Sequence, residues 1–78
     1  MKRMPGLPLL SAREVVGALR RLGFEVHRQR GSHVVMRHKE DPALRAVVPM
    51  HREVRKGTLN SILKGARVTR EEFLRALR

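Results

Sequence analysis

Residues 28–36 read Arg28-Gln29-Arg30-Gly31-Ser32-His33-Val34-Val35-Met36, a basic stretch that turns at Gly31-Ser32 into an apolar one. Apolar and polar residues alternate on both sides of this turn, from position 24 to position 38. Alternation that flanks a glycine-containing turn predicts a β-hairpin. The hairpin would place His33 at the start of its second strand, where a rigid support can present a side chain to a ligand.

The register of the hairpin depends on the length of its turn. A two-residue Gly31-Ser32 turn would set Val26 opposite Arg37 and place Val34 and Met36 beside Gln29 and His27. A three-residue turn, 30–32, separates them, and we therefore expect it. It would place Phe24, Val26, Val34 and Met36 on one face, and His27, Gln29, His33, Val35 and Arg37 on the other.

The chain before the hairpin predicts a leader and a helix. Residues 1–10 contain Pro5 and Pro8, and we expect a loosely held leader there whose apolar run is too short for a signal peptide. Ser11 and Glu14 have the spacing of a capping box. Apolar residues then recur at helical spacing until Gly23, which predicts a helix over about residues 12–22.

The chain after the hairpin predicts one more strand and two helices. Residues 45–48 have strand character, and Pro49 ends this strand or marks a sheet edge. Helical spacing of apolar residues predicts a second helix over about 57–66, and the capping-box pattern of Thr69 and Glu72 opens a short final helix. We expect a single α+β domain over residues 1–78, with the leader in 1–10 and the fold in 11–78, in which a three-stranded antiparallel sheet carries helices on one face. Phe24 and Phe73 fall in apolar patterns and should lie in its core.

Charge indicates the class of partner. The 78 residues contain 18 Lys and Arg against 7 Asp and Glu, a formal net charge of +11. Such an excess predicts a polyanionic partner: nucleic acid first, then an acidic protein, then an anionic membrane. The alternative is a merely solubilising surface. The chain has no Trp or Tyr, and its two Phe are expected in the core, so no aromatic side chain is left to stack on bases. It should therefore bind the sugar and phosphate groups of a nucleic acid.

The remaining composition indicates a cellular location and limits the chemistry that the chain can perform. Without cysteine there is no disulfide or thiolate site, which fits a reducing, cytoplasmic location, and no segment has membrane-spanning length. The four histidines, His27, His33, His38 and His51, lack metal-ligand spacing, so we expect neither metal nor cofactor. Ser32 and His33 cannot act as a nucleophile and its base, because neighbours on a strand point apart.

Cleavage of RNA needs few protein groups, because the 2′-hydroxyl next to the scissile phosphate is a built-in nucleophile. One histidine can take its proton, and cations can stabilise the phosphoryl oxygens. His33 could be this base, with Arg30, Arg37 or Lys56 as cationic helpers, although the residues alone are also compatible with a binding role. A third possibility is a DNA-binding helix-turn-helix over residues 59–77, which would leave the strands unexplained.

Three motifs resemble the HicA-type toxins, the mRNA-cleaving halves of HicA–HicB toxin–antitoxin pairs. They span about residues 15–65 in the expected order. The motifs are Leu19-Arg20-Arg21-Leu22-Gly23-Phe24, then Arg30-Gly31-Ser32-His33, and then Val48-Pro49-Met50-His51 followed by Gly57-Thr58-Leu59 and Ile62-Leu63.

The resemblance implies a fold like the double-stranded RNA-binding domain and metal-independent cleavage of mRNA. Its functional histidine maps to His33, and His51 matches a recurrent histidine of the family. Many relatives carry a second histidine at the position of Val34. It also implies a HicB-like antitoxin, whose acidic residues we expect to face Arg30, Arg37 and the loop 51–56. Candidate RNA contacts are Arg28, Arg30, Gly31, Ser32, Arg37, His51 and Lys56. The alternatives are a noncatalytic RNA-binding module of the same fold and the helix-turn-helix.

Overall fold

The structure, a computed structural model, describes residues 9–77. Its elements follow one another as helix, three strands and two helices. Their bounds are α1 Ala12–Arg21, β1 Phe24–Arg30, β2 His33–His38, β3 Arg45–Pro49, α2 Lys56–Ala66 and α3 Arg70–Ala76. This order and the antiparallel sheet β1-β2-β3 confirm the predicted α+β class.

Capping residues account for the ends of two helices. The Ser11 side chain accepts from the Glu14 amide, while the Glu14 carboxylate accepts from the Ser11 amide at 2.9 Å, which completes the predicted box. Thr69 and Glu72 form the same box at α3. There the Thr69 amide donates to the Glu72 carboxylate at 2.8 Å, and this bond holds the pKa of Glu72 below its ordinary value.

The hairpin turn is shorter than the sequence predicted. Arg30 lies opposite His33, so that Gly31 and Ser32 alone form the turn. The register shifts between Val26 and Arg28, where His27 is the extra residue of a β-bulge. The expectation of a three-residue turn was wrong because it assumed strands without a bulge.

The bulge changes which side chains share a face. Val26 still lies opposite Met36, as the apolar pattern requires, although it is 41% exposed on the edge strand. Beyond the bulge the alternation is inverted. Gln29 therefore lies opposite the buried Val34 and not on the face of His33, where it was predicted. Arg28 and Arg30 lie on the face of His33 in its place.

The helices cover one face of the sheet. Phe24 and Phe73 are both buried, as predicted, together with apolar side chains of all three strands and all three helices. α3 is tied to α1 by the guanidinium of Arg21, which donates to the Ala76 carbonyl at 2.7 Å. Since Phe73 is fully buried, its truncation to alanine should cost about 3–5 kcal/mol.

The opposite face of the sheet, which we call the outer face, carries no helix from the part of the chain that the structure describes. It carries three cross-strand rows, which are Arg30–His33–Pro49, Arg28–Val35–Val47 and Glu25–Arg37–Arg45.

Of the predicted leader, residues 1–8 lie outside the described residues. Its last residue, Leu10, is buried and forms an antiparallel bridge with Val54, so the ordered core begins before Ser11.

Candidate functional site

Arg30 and His33 face each other across the two ends of the hairpin turn. They are direct cross-strand partners, and both side chains are exposed on the outer face. Directly opposed residues of an antiparallel pair have Cβ atoms about 4.5–5.5 Å apart. The turn therefore holds a histidine and an arginine at directly opposed positions at one end of the sheet, both in contact with solvent.

The backbone of the turn is held on both sides. Gly31 has φ +55°, and Ser32, the second central residue, has no positive φ, which is the pattern of a type II′ hairpin turn. The Ser32 carbonyl accepts a hydrogen bond from the Met50 amide at 2.6 Å. His33 is thus presented by a short turn that is bound to the segment after β3.

The segment after β3 is fastened in turn to the start of α1. The Ala12 amide donates to the His51 carbonyl at 3.0 Å, and the Val54 amide donates to the Leu10 carbonyl at 2.6 Å. These bonds bring three distant parts of the chain into one region. We call this region the turn site and define it as residues 30–33, residues 50–52 and Arg13.

Arg13 and Arg52 are functional candidates that the sequence did not single out. Both line an open hollow of about 200 Å³ beside His51, together with Ser11, Ala12 and Met50. The capping box at Ser11 marked the start of α1, but nothing in the sequence connected this helix end with residues 50–52. Two exposed guanidinium groups therefore join His51 in the turn site.

The other predicted contacts lie at increasing distances from His33. Arg28 shares the outer face but belongs to the next row, opposite Val35. Arg37 is four residues along β2, which corresponds to about 13 Å of strand, and it is half-buried. A ligand phosphate beside His33 can therefore be reached by Arg30, whereas Arg37 is placed for a more distant one.

Lys56 occupies the first position of α2, directly after the loop that carries His51. Its side chain is exposed, and the N-cap residue, Arg55, provides no side-chain hydrogen bond to the helix. The sequence from His51 to Lys56 thus supplies four basic residues, counting one histidine, close to one helix start. Residues 51–56 lie where the sequence predicted a basic loop, and the role of this loop in binding stays a prediction.

The remaining histidines have different surroundings. His38 is half-buried, packs edge-on against Phe24 with ring centroids 5.1 Å apart, and accepts from the Glu40 amide at 3.1 Å through Nδ1. His38 is therefore a structural residue. His27 is exposed at the bulge of β1, away from the turn. Val34, the residue after His33, is buried on the opposite face of the sheet.

Within residues 9–77 no three His, Asp or Glu side chains converge as metal ligands. None of the helices described there has the length and apolar character needed to cross a membrane.

Comparison with known families agrees with the motifs. The family model described as "HicA toxin of bacterial toxin-antitoxin" matches residues 12–68, from the first residue of α1 to just beyond α2. A search of curated proteins yields no significant match. The matched range contains the whole sheet and the turn site, and it covers well over half of the chain. The chain therefore belongs to the HicA toxin family of bacterial toxin–antitoxin systems.

Proposed function

We propose that the chain is a toxin that cleaves mRNA in the cytoplasm without a metal, with His33 as the general acid/base. The observation that carries this is the pairing of His33 with Arg30 across the hairpin turn, on the outer face of the sheet. A base and a cation side by side are the two groups that attack by a 2′-hydroxyl requires.

The chemistry assigns a role to each group. His33 takes the proton of the 2′-hydroxyl as its oxygen attacks the adjacent phosphorus. The bond to the 5′ oxygen of the next nucleotide breaks, that oxygen takes a proton from solvent, and a 2′,3′-cyclic phosphate remains. The guanidinium of Arg30 stabilises the negative charge that builds up on the phosphoryl oxygens. Gly31 and Ser32 hold the turn that keeps the two side chains together.

Binding of RNA rests on the basic residues around this pair. Arg28, His51 and Lys56 are exposed and are proposed to contact flanking phosphates, and Arg13 and Arg52 extend this surface. Arg37 is assigned to a phosphate farther along the strand. Since both phenylalanines are buried, recognition should depend on backbone charge and shape more than on base identity.

A HicB-like antitoxin is the proposed neutralising partner. Family membership places the chain in a toxin–antitoxin system, and the net charge of +11 favours an acidic partner. We assign the turn site to the contact surface, because a partner that covers Arg30 and His33 blocks the reaction directly.

The test is cleavage of a long RNA by the purified chain in the presence of a chelator. Cleavage is expected to persist and to leave cyclic phosphate ends. Binding to duplex RNA without cleavage would instead support a noncatalytic RNA-binding module, and preferential binding to DNA would support the helix-turn-helix alternative. Cleavage that stops when the chelator is added would contradict the single-histidine chemistry.

A further inference from the structure

A groove runs between β3 and α2, away from the turn site. It has a volume of about 230 Å³, and its floor and walls are mostly small or apolar. Its lining residues are Arg45, Ala46, Val47, Thr58, Ser61, Ile62 and Gly65. On the side of α2 the lining residues recur at helical spacing, so that one face of the helix forms one wall.

The other wall is the free edge of the sheet. Within residues 9–77, β3 pairs with β2 on one side and has no strand on the other. The His38 amide donates to the Leu44 carbonyl and the Met50 amide donates to the Ser32 carbonyl, so the alternating ladder directs Ala46 and Val48 toward β2. The backbone groups of Arg45 and Val47 and the carbonyl of Pro49 therefore point away from the sheet, along the groove.

Close packing defines one end of the groove. A Cβ added to Gly65 would come within 2.9 Å of the Arg45 carbonyl oxygen, so the helix touches the strand there and only glycine fits. Ser61 and Thr58, about one and two helical turns before Gly65, line the rest of the groove. Val47, which is 47% exposed, also lines it, and its backbone N–H and C=O lie on the free edge.

We propose that this groove binds an extended, acidic peptide segment of a partner protein, which adds to β3 as a fourth strand. An open strand edge beside a helix is suited to such strand addition, in which main-chain hydrogen bonds give affinity and alternate side chains enter the groove. The volume suits one or two aliphatic side chains. The assignment is independent of the proposed nuclease activity, because none of the groove residues belongs to the turn site.

Charge selects the acidic peptide over other occupants. Arg45 is the charged residue of the lining, and Arg55 is the N-cap residue of α2, three residues before Thr58. A second copy of the chain would bring together two molecules of net charge +11, which repel each other. A nucleic acid would leave the apolar floor and the outward peptide groups without suitable partners.

The test begins with a library of random decapeptides displayed on phage and selected on the full chain. Selected peptides are expected to alternate apolar and acidic residues. Ser61→Leu fills the groove with a residue of higher helix propensity and should weaken their binding at least tenfold. Asn60→Leu, on the neighbouring exposed position of α2, is the matched control and should bind as the unaltered chain does.

A second measurement tests the added strand itself and does not depend on how a variant folds. Two versions of a selected peptide are N-methylated at alternate residues, one at the odd positions and one at the even positions. One version loses the N–H donors that face β3, and the other loses those that face solvent. Only one of these two phases of methylation is expected to abolish binding. The docking assignment is overturned if no peptide is selected, if Ser61→Leu leaves binding unchanged, or if both phases bind equally. Self-association of the chain that Ser61→Leu abolishes would instead identify a second copy as the occupant.

Discussion

Arg30 and His33 are direct cross-strand neighbours, because the turn between them contains only Gly31 and Ser32. The bulge at His27 makes this turn compatible with a buried Phe24, since the extra residue in β1 returns Phe24 and Val26 to the sheet face that carries Val34 and Met36. The short turn and the apolar face are thus reconciled by one extra residue.

Replacement of His33 by alanine should lower the rate of RNA cleavage by about 10²–10⁴-fold, which is the usual contribution of one acid–base group. The side chain is exposed, so the circular dichroism spectrum and the thermal midpoint should stay unchanged. His27→Ala, which removes an exposed histidine at the bulge, is the matched control and should cleave normally. Full cleavage by the His33→Ala chain would exclude the catalytic assignment.

Replacement of Arg30 or Lys56 by alanine should weaken RNA binding to a similar degree for all sequences. Each substitution removes one phosphate contact, so the slope of log K against log salt concentration should decrease by about 1. Filter-binding or anisotropy titrations over a range of salt concentrations measure this slope. Lys39→Ala, at the opposite end of β2, should leave it unchanged. A loss confined to particular base sequences would contradict recognition through the backbone.

Alanine at Gly31 should lower the free energy of unfolding by about 1–2 kcal/mol, because φ +55° is unfavourable for a residue with a Cβ. No atom lies within 4 Å of the added methyl group, so the cost is one of backbone conformation alone. Gly57→Ala also adds a methyl group in open space, but within α2, and should stabilise the chain by up to about 1 kcal/mol. Opposite signs in urea unfolding are the expected result, and equal effects would count against the strained turn.

An antitoxin that covers the turn site should protect His33 from diethylpyrocarbonate. Site-resolved mass spectrometry of the free chain and of the complex compares all four histidines in one sample. We expect His33 and His51 to lose reactivity in the complex. Inhibition of cleavage with unchanged reactivity of His33 would show that the partner acts from another surface.

The capping box of α3 should make part of the stability dependent on pH. The pKa of Glu72 is lower in the folded chain than its ordinary value of 4.5, because Thr69 donates to the carboxylate. Its contribution is therefore fully present above that value and is lost as the pH falls through the lower pKa of the folded state. The difference in thermal midpoint between the unaltered chain and Glu72→Gln should shrink over that range. The capping box involves Glu72 and not Glu71, so Glu71→Gln should change the thermal midpoint at neutral pH less than Glu72→Gln does.

Local patterns predicted most of the elements correctly. The start of α1 follows from Ser11 and Glu14, and that of α3 from Thr69 and Glu72, because capping depends on residues three positions apart. β2 has the bounds that its alternation indicated, and both phenylalanines lie in the core. The family assignment also followed from ordered motifs, since it needs only residue identities and their spacing.

The turn length could not be predicted in the same way. A bulge has weak sequence signals, and His27 fits an uninterrupted strand as well as it fits an extra residue. The predicted face of His33 consequently contained Gln29 in place of Arg28 and Arg30. Arg30, His33 and His51 were named from the sequence, whereas Arg13 and Arg52 were not, and the catalytic and binding roles of all five stay predictions.

The sequence by itself determined the class of fold, the net charge of +11 and the presence of His33 in a glycine-containing turn. These depend on composition, on periodicity and on contacts between near neighbours. Only the tertiary structure decided that Arg30 faces His33, that Arg13 and Arg52 join His51, and that a groove opens between β3 and α2. Such relationships depend on strand register and on the packing of segments far apart in the chain, where a shift of a single residue moves each side chain to the opposite face.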